Sequence, residues 1–477
     1  MIEKQTIESA RRPAAPAKSG LAQARARLSS TRLVENRGRV TQMIGLVIES
    51  QGPMASVGEV CRIESHASGA STLAEVVGFR ERNLLLMPLG EVQGICPGSE
   101  VVATGHSLRV PVGEELLGRV IDGLGQPLDD KGDIPQLPLA DLGLNTPHPL
   151  KRTRITEFFE TGIKAIDTFT PLGRGQRLGV FAGSGVGKST IMGMMASKAE
   201  ADLNVIALIG ERGREVREFL ERDLTAEGRR KSVVVVAASN VPALTRVKGT
   251  FLAMTIAEYF RSQGKNVLLM MDSVTRFAMA QREIGLAIGE PPSSRGYTPS
   301  VFSLLPQLLE RAGNDEHGSI TGLFNVLIEG DDMNDPVADA SRSILDGHLV
   351  LSRELAAQNH YPAIDVLESV SRLSHDLLTP EDRKLMGAAR ESMAVYRKSR
   401  DLVSIGAYQA GSNPQIDQAI QLHEPLNKFL KQEVGATHGL DESWQSLREI
   451  MPVEEAEAEP EAPAPVPEEP TLESSRL

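Results

Sequence analysis

The chain has 477 residues, 41% of them hydrophobic, which is enough for about three domains and a sizeable buried core. Aromatics make up only 4%, with one tryptophan, and the formal net charge is −12, so neither a base-stacking surface nor a basic duplex-binding face is suggested. Cys61 and Cys96 offer no metal spacing and no disulfide framework, no apolar run reaches the roughly 20 residues that span a bilayer, and Met1-Ile2-Glu3-Lys4-Gln5 lacks a signal-peptide core, so the composition points to the cytoplasm with any membrane contact peripheral.

The charge is unevenly spread. Through Arg39 there are nine basic and three acidic side chains, whereas Glu454 to Leu477 hold eight glutamates and one arginine. Residues 1–37 begin with Pro13-Ala14-Ala15-Pro16 and continue into a basic stretch, Gly20 to Val34. That stretch reads either as a short amphipathic helix, with Leu21, Ala24 and Leu28 on one face, or as a frayed solvated arm. Residues 38–108 alternate short apolar runs with Gly, Pro, Ser and Asn: Val40–Ile48, Val57–Ile63, Ala74–Phe79, Asn83–Met87 and Glu100–Ala103. This spacing predicts a small β-barrel or sandwich. His66 reads as a loop residue. Val110 to Leu150, dense in Gly and Pro, reads as a connector into the next unit.

Residues 109–376 carry the pattern of a doubly wound α/β domain. Leu178-Gly179-Val180-Phe181 is a buried strand, followed by Ala182-Gly183-Ser184-Gly185-Val186-Gly187-Lys188-Ser189-Thr190 and a helical run to Ala199. Strand, glycine-rich turn and helix in that order make a phosphate-binding loop. Loop amides and the helix's positive end would hold an anion, Lys188 would reach the β- and γ-phosphates, and the Ser189 hydroxyl would hold Mg²⁺. The first position of the glycine pattern is Ala182, a relaxed match. Further apolar strands follow at Asn204–Ile209, Ser232–Ala238 and Asn266–Met271, with a helix over Ala243–Gln263. Runs without alternation are buried on both faces, as in a parallel sheet. Residues 377–450 turn helical, with breaks at Gly406, Pro414 and Gly435, and residues 451–477 form a Pro- and Glu-rich tail expected to lack a fold.

In such a sheet, functional residues gather at the carboxyl ends of the strands. Asp272 closes an apolar strand, where a carboxylate orders the Mg²⁺ shell; a helix cap is its ordinary alternative. Glu211, in Gly210-Glu211-Arg212, follows another strand, where a carboxylate can polarise the water that attacks a terminal phosphoryl group. Its ordinary alternative is a solvated loop charge.

Taken together, the phosphate loop, Gly210-Glu211-Arg212 and Asp272 with Ser273-Val274-Thr275-Arg276-Phe277-Ala278 resemble the export ATPases of type III secretion systems, relatives of the catalytic subunit of rotary ATP synthases. Leu117 to Gly125, Pro291 to Tyr297, Ile344 to His348 and His360 to Asp365 extend the likeness, which runs from about Gly38 to Leu447 and is closest to the flagellum-specific type, with the virulence-secretion type, which shares nearly all these motifs, as the alternative. The resemblance implies Glu211 as catalytic carboxylate, Arg212 as an organising residue, Glu215 near the metal's water shell and Tyr361 stacked on adenine. It implies Arg372 as an arginine finger for the neighbouring subunit, with Arg353 the less favoured alternative. It also implies a homo-hexameric ring using ATP and Mg²⁺. Gly289–Tyr297 and Glu329–Pro336 would face its channel toward a central stalk protein. Further implied partners are a regulatory stator-like protein at the amino-terminal segment, the export gate at the inner membrane and chaperone–substrate complexes, with no nucleic acid.

Three other readings weigh less. An ATP synthase catalytic subunit would carry a dense acidic lever motif, for which Leu378-Thr379-Pro380-Glu381-Asp382-Arg383 is a poor substitute. A ring helicase needs an aromatic, basic barrel, and residues 38–108 hold Phe79 as their only aromatic. A non-catalytic docking subunit would not need Glu211.

Overall fold

A computed structural model describes residues 35–65, 69, 71–143, 147–183, 185–328, 330 and 332–451. The expected amino-terminal arm up to residue 34, the acidic tail from 452, His66, Ser184, Glu329 and Asp331 lie outside the described residues. The chain divides into two compact units between Leu108 and Arg109.

The first unit is a closed barrel of six strands: β1 (Arg37–Ile44), β2 (Val47–Gln51), β3 (Glu59–Glu64), β4 (Ser71–Arg80), β5 (Asn83–Pro88) and β6 (Glu100–Ser107), joined in the order β1-β2-β5-β4-β3-β6. Val40, Ile48, Ile63, Val76, Leu86 and Val101 fill its interior together with Cys61, whose thiol burial pushes up to about 12. Closure leaves no unpaired edge. The run expected as one strand, Val40–Ile48, is two, because the chain reverses at Gly45 with φ +58°.

The second unit is built on a sheet with β7 (Arg109–Pro111) and β9 (Leu139–Asp141) as a separate two-stranded ribbon. Its strands are β8 (Val120–Asp122), β10 (Arg177–Ala182), β11 (Leu203–Ile209), β12 (Ser232–Ala237), β13 (Asn266–Asp272), β14 (Gly313–Asn314), β15 (Ser319–Leu327), β16 (Gly347–Leu351) and β17 (Val370–Ser371). The order across the sheet is β17-β16-β10-β15-β13-β11-β12-β8, parallel from β16 to β8. β17 and β14 pair antiparallel with β16 and β15. The segment read as a connector is therefore more than a linker: Val120 to Asp122 add a strand beside β12, held by the Arg119–Asp129 ion pair at 2.8 Å. Continuous apolar strands such as Leu203–Ile209 are buried throughout because helices cover both faces.

The helix Lys188–Lys198 packs with Gly193 against the backbone of Asp223; a Cβ there would sit 2.2 Å from the Asp223 carbonyl oxygen. A backbone neighbour cannot swing aside. Gly193→Ala should therefore lower stability by about 1–3 kcal/mol in urea unfolding, although alanine is the better helix former. Unchanged or increased stability would contradict the contact.

Three helices end the described chain: Pro380–Ser404, Pro414–Leu430 and Leu440–Ile450. Thr379 and Asn413 cap the first two, so Pro414 starts a helix rather than breaking one. Phe429, Leu430, Trp444 and Leu447 pack into the same core as Ile166 and Phe169, with Phe169 edge-on to Phe429 at 6.5 Å.

Candidate active site

β10, β11, β13, β15 and β16 end on one side of the sheet, and a cavity of about 1020 Å³ opens there. β10 runs into the loop whose Gly185 and Gly187 hold φ +80° and +93°, conformations that a side chain would strain. The helix Lys188–Lys198 starts directly after, so Lys188, Ser189 and Thr190 line the cavity at its positive end. Gly183, Gly185, Gly187, Glu211, Arg212, Glu215, Asp272 and Tyr361 line it as well. Val186 turns into the core instead.

At the floor, Lys188 Nζ donates to Asp272 Oδ1 at 2.5 Å and to Glu211 Oε1 at 3.4 Å. Asp272 is 3% exposed and ends β13. Its alternative role as helix cap falls to Ser273, whose hydroxyl accepts from the Arg276 amide. Burial pulls the Lys188 ammonium down, but Asp272 and Glu211 outweigh it and leave it raised. Glu211 is pushed up to about 7 by burial and by its hydrogen bond with Glu215. Glu215, on the first turn of the short helix Gly213–Glu218, is lowered by the same bond. Burial and the bond between the carboxyls thus push the pair apart, Glu211 up and Glu215 down. Arg212 lies 3.7 Å from Glu215 with both side chains largely exposed.

Tyr361 is 44% exposed, and its ring lies 3.7 Å from where a Cβ on Gly187 would stand. An exposed ring beside a phosphate loop is a platform for a planar base.

The two arginines weighed as fingers separate. Arg372 follows β17 at the sheet edge, its amide donating to the Asp346 carbonyl at 3.0 Å and its guanidinium to the Arg342 carbonyl at 3.1 Å. It is exposed and is not brought to the cavity of its own chain. Arg353 lies beside the loop of its own chain, because the parallel register sets Leu351 opposite Ala182. A Cβ on Gly183 would meet its guanidinium at 2.5 Å. Arg276, quoted only as part of a motif, backs Gly210 on the same wall. Its signal in the sequence was one helical turn after Asp272. In the segments expected to face a channel, Arg295 donates to Asp332 at 2.8 Å and lies 3.8 Å from Asp335.

Among the described residues, no helix is long and apolar enough to cross a membrane. The family model described as ATP synthase alpha/beta family, nucleotide-binding domain, matches residues 162–371. Its beta-barrel counterpart matches 40–105, and T3SS EscN ATPase C-terminal domain matches 378–449. The chain is 54% identical over 419 residues to the flagellum-specific ATP synthase of Bacillus subtilis, covering 88% of this chain and 96% of that one. It superposes on the assembled ATPase EscN of the enteropathogenic E. coli type III secretion system with a TM-score of 0.82 at 45% identity, covering 87% of this chain and 99% of that one. EscN in complex with its central stalk EscO gives a TM-score of 0.80 at 44% identity, with the same coverage.

Proposed function

We propose that this chain, which belongs to the ATP synthase alpha/beta family and within it to the type III secretion export ATPases, hydrolyses ATP to drive protein export, in a flagellar apparatus. The flagellar part of this proposal follows the motif resemblance and the 54% identity to the Bacillus subtilis flagellar relative; identities to other flagellar relatives, 44–51%, overlap those to type III secretion ATPases, 44–49%.

The observation that carries the catalytic reading is the cluster of Lys188, Asp272 and Glu211 on the floor of the cavity beside the phosphate loop. Loop amides and Lys188 bind the β- and γ-phosphates, and Tyr361 takes the adenine. Glu211 accepts the proton of the attacking water, Glu215 and Arg212 hold that carboxylate in place, and Arg372 of a neighbouring copy meets the transferred phosphoryl group.

The donors also fit Mg²⁺. Among the described residues no group of three or more His, Cys, Asp or Glu could hold a metal ion. Asp272 and the Ser189 hydroxyl line the same cavity, and one carboxylate and one hydroxyl with substrate phosphates is a usual Mg²⁺ set. Asp272 and Ser189 would hold the ion, with Glu215 near its water shell. When bound, it neutralises charge on the β- and γ-phosphate oxygens.

We further propose a ring of six copies with a central stalk protein in its channel, by analogy with the stalk-bound EscN assembly. A regulatory stator-like protein would bind the basic amino-terminal segment. Contact with the inner-membrane export gate and with chaperone–substrate complexes would be peripheral, and the working site would lie between copies.

The purified chain should hydrolyse ATP only with a divalent cation, and activity per chain should rise with protein concentration as rings form. Tight nucleotide binding with no hydrolysis at any concentration would turn the reading toward a docking subunit.

A further inference from the structure

The short segment between the helices Pro414–Leu430 and Leu440–Ile450 is fastened to the nucleotide site at three places. Gln432, its second residue, is only 7% exposed. Its backbone amide donates to the Tyr361 carbonyl at 2.9 Å. Its Oε1 accepts from the Lys164 amide at 3.0 Å, and its Nε2 donates to the carbonyls of Gly162 at 2.8 Å and Ala436 at 3.1 Å. One buried side-chain amide is thus saturated by backbone from separate parts of the chain. Beside it, Lys198, the last residue of the phosphate helix, donates to the carbonyls of Val434, at 2.9 Å, and Ala436.

We infer that Gln432 is a positioning residue for the base: it fixes the backbone of Tyr361, and with it the ring over Gly187, to the carboxyl-terminal helices. The inference rests on the reading that Tyr361 stacks on adenine. The physical reason is the cost of leaving buried partners unpaired. Without the amide, the Lys164 N–H and the Gly162 carbonyl lose these hydrogen bonds, while Ala436 keeps only that of Lys198, so the segment has to shift and let water in. Its own N–H then moves relative to the Tyr361 carbonyl. Gln432 itself bonds the Tyr361 backbone and no residue of the phosphate loop, and the Lys198 bonds do not pass through it, so loss of its side chain should be felt chiefly by the base. A shift of the carboxyl-terminal helices reaches the nucleotide by the same route.

The test compares Mg²⁺-ADP with inorganic tripolyphosphate, which has no base, by calorimetry on the full chain. Gln432→Ala should weaken ADP about tenfold, equivalent to about 1.4 kcal/mol, and leave tripolyphosphate unchanged. The KM for ATP should rise by the same factor, with kcat within about twofold. Gln432→Met, close in volume but without the hydrogen bonds, should do the same and carries the test if the alanine variant does not fold. Tyr361→Ala is the reference. If it weakens ADP selectively while the Gln432 variants weaken both ligands equally or neither, the positioning role is overturned and the stacking reading stands. If Tyr361→Ala itself shows no selectivity for the base, the stacking reading fails, and this inference with it.

Discussion

Glu211→Gln is expected to bind ATP within a few-fold of the parent and to lose turnover by about 10² to 10⁴. The substitution keeps the shape of the side chain and leaves Lys188 its 2.5 Å contact with Asp272, so the phosphate side of the cavity stays intact. What disappears is the only property the reaction needs from this group, the ability to take a proton from water. The pH profile gives an independent check. Burial and the hydrogen bond with Glu215 raise Glu211 to about 7, so below that pH it carries its proton and cannot act as a base. Above it the carboxylate is free. The kcat/KM of the parent should therefore rise with pH through about 7, since this ratio reports the free enzyme. Near-parental hydrolysis by the variant, or a kcat/KM that stays flat between about pH 6 and 8, would remove Glu211 from the role.

The second large effect concerns Arg372. Arg372→Ala should assemble as the parent does and hydrolyse about 10³- to 10⁵-fold more slowly, the range in which an arginine finger contributes. Among the described residues its guanidinium donates to one carbonyl, that of Arg342, and the side chain is exposed, which leaves its remaining N–H groups for a neighbour. Mixing two inactive variants discriminates the roles. In rings that combine Arg372→Ala with Lys188→Ala, some sites regain both an intact Lys188 and an intact Arg372 next door, and part of the activity should return. No recovery on mixing would mean that the arginine serves its own subunit. Full rescue of Arg372→Ala by protein concentration alone would make it an assembly residue. Arg353 provides the contrast, since its guanidinium already lies against Gly183 of the same chain.

What the sequence disclosed depended on how local the signal was. The loop from Ala182 to Thr190 is contiguous, and the strands around it are apolar runs long enough to stand out. The barrel was legible because its short strands come at regular spacing, although the fold into β1 and β2 was missed where Gly45 turns a run that looks continuous. β8 was hidden for a different reason. Three residues show no periodicity, and their partner β12 is remote in the chain, so a glycine- and proline-rich stretch looked like a linker. The cap at Ser273 lay one residue from the expected one, a difference that only the helix start resolves. Arg353 could be named but not located, because its nearness to the loop follows from the β16–β10 register. Gln432 gave no sign at all. A glutamine between Lys431 and Glu433 is ordinarily solvated, and here its amide donates to a carbonyl 270 positions away.

The margins of the central sheet carry one more implication. One ends in the three residues of β8 and the other in the two of β17. Strands this short offer almost no free hydrogen-bonding row onto which another copy could add itself. Copies of the chain at high concentration therefore gain little from pairing edge to edge. Contact between copies is then left to side chains, and the rotation between them decides whether it closes. The stub that ends the sheet also places Arg372, so the element that discourages edge pairing carries the residue proposed to meet a neighbouring copy.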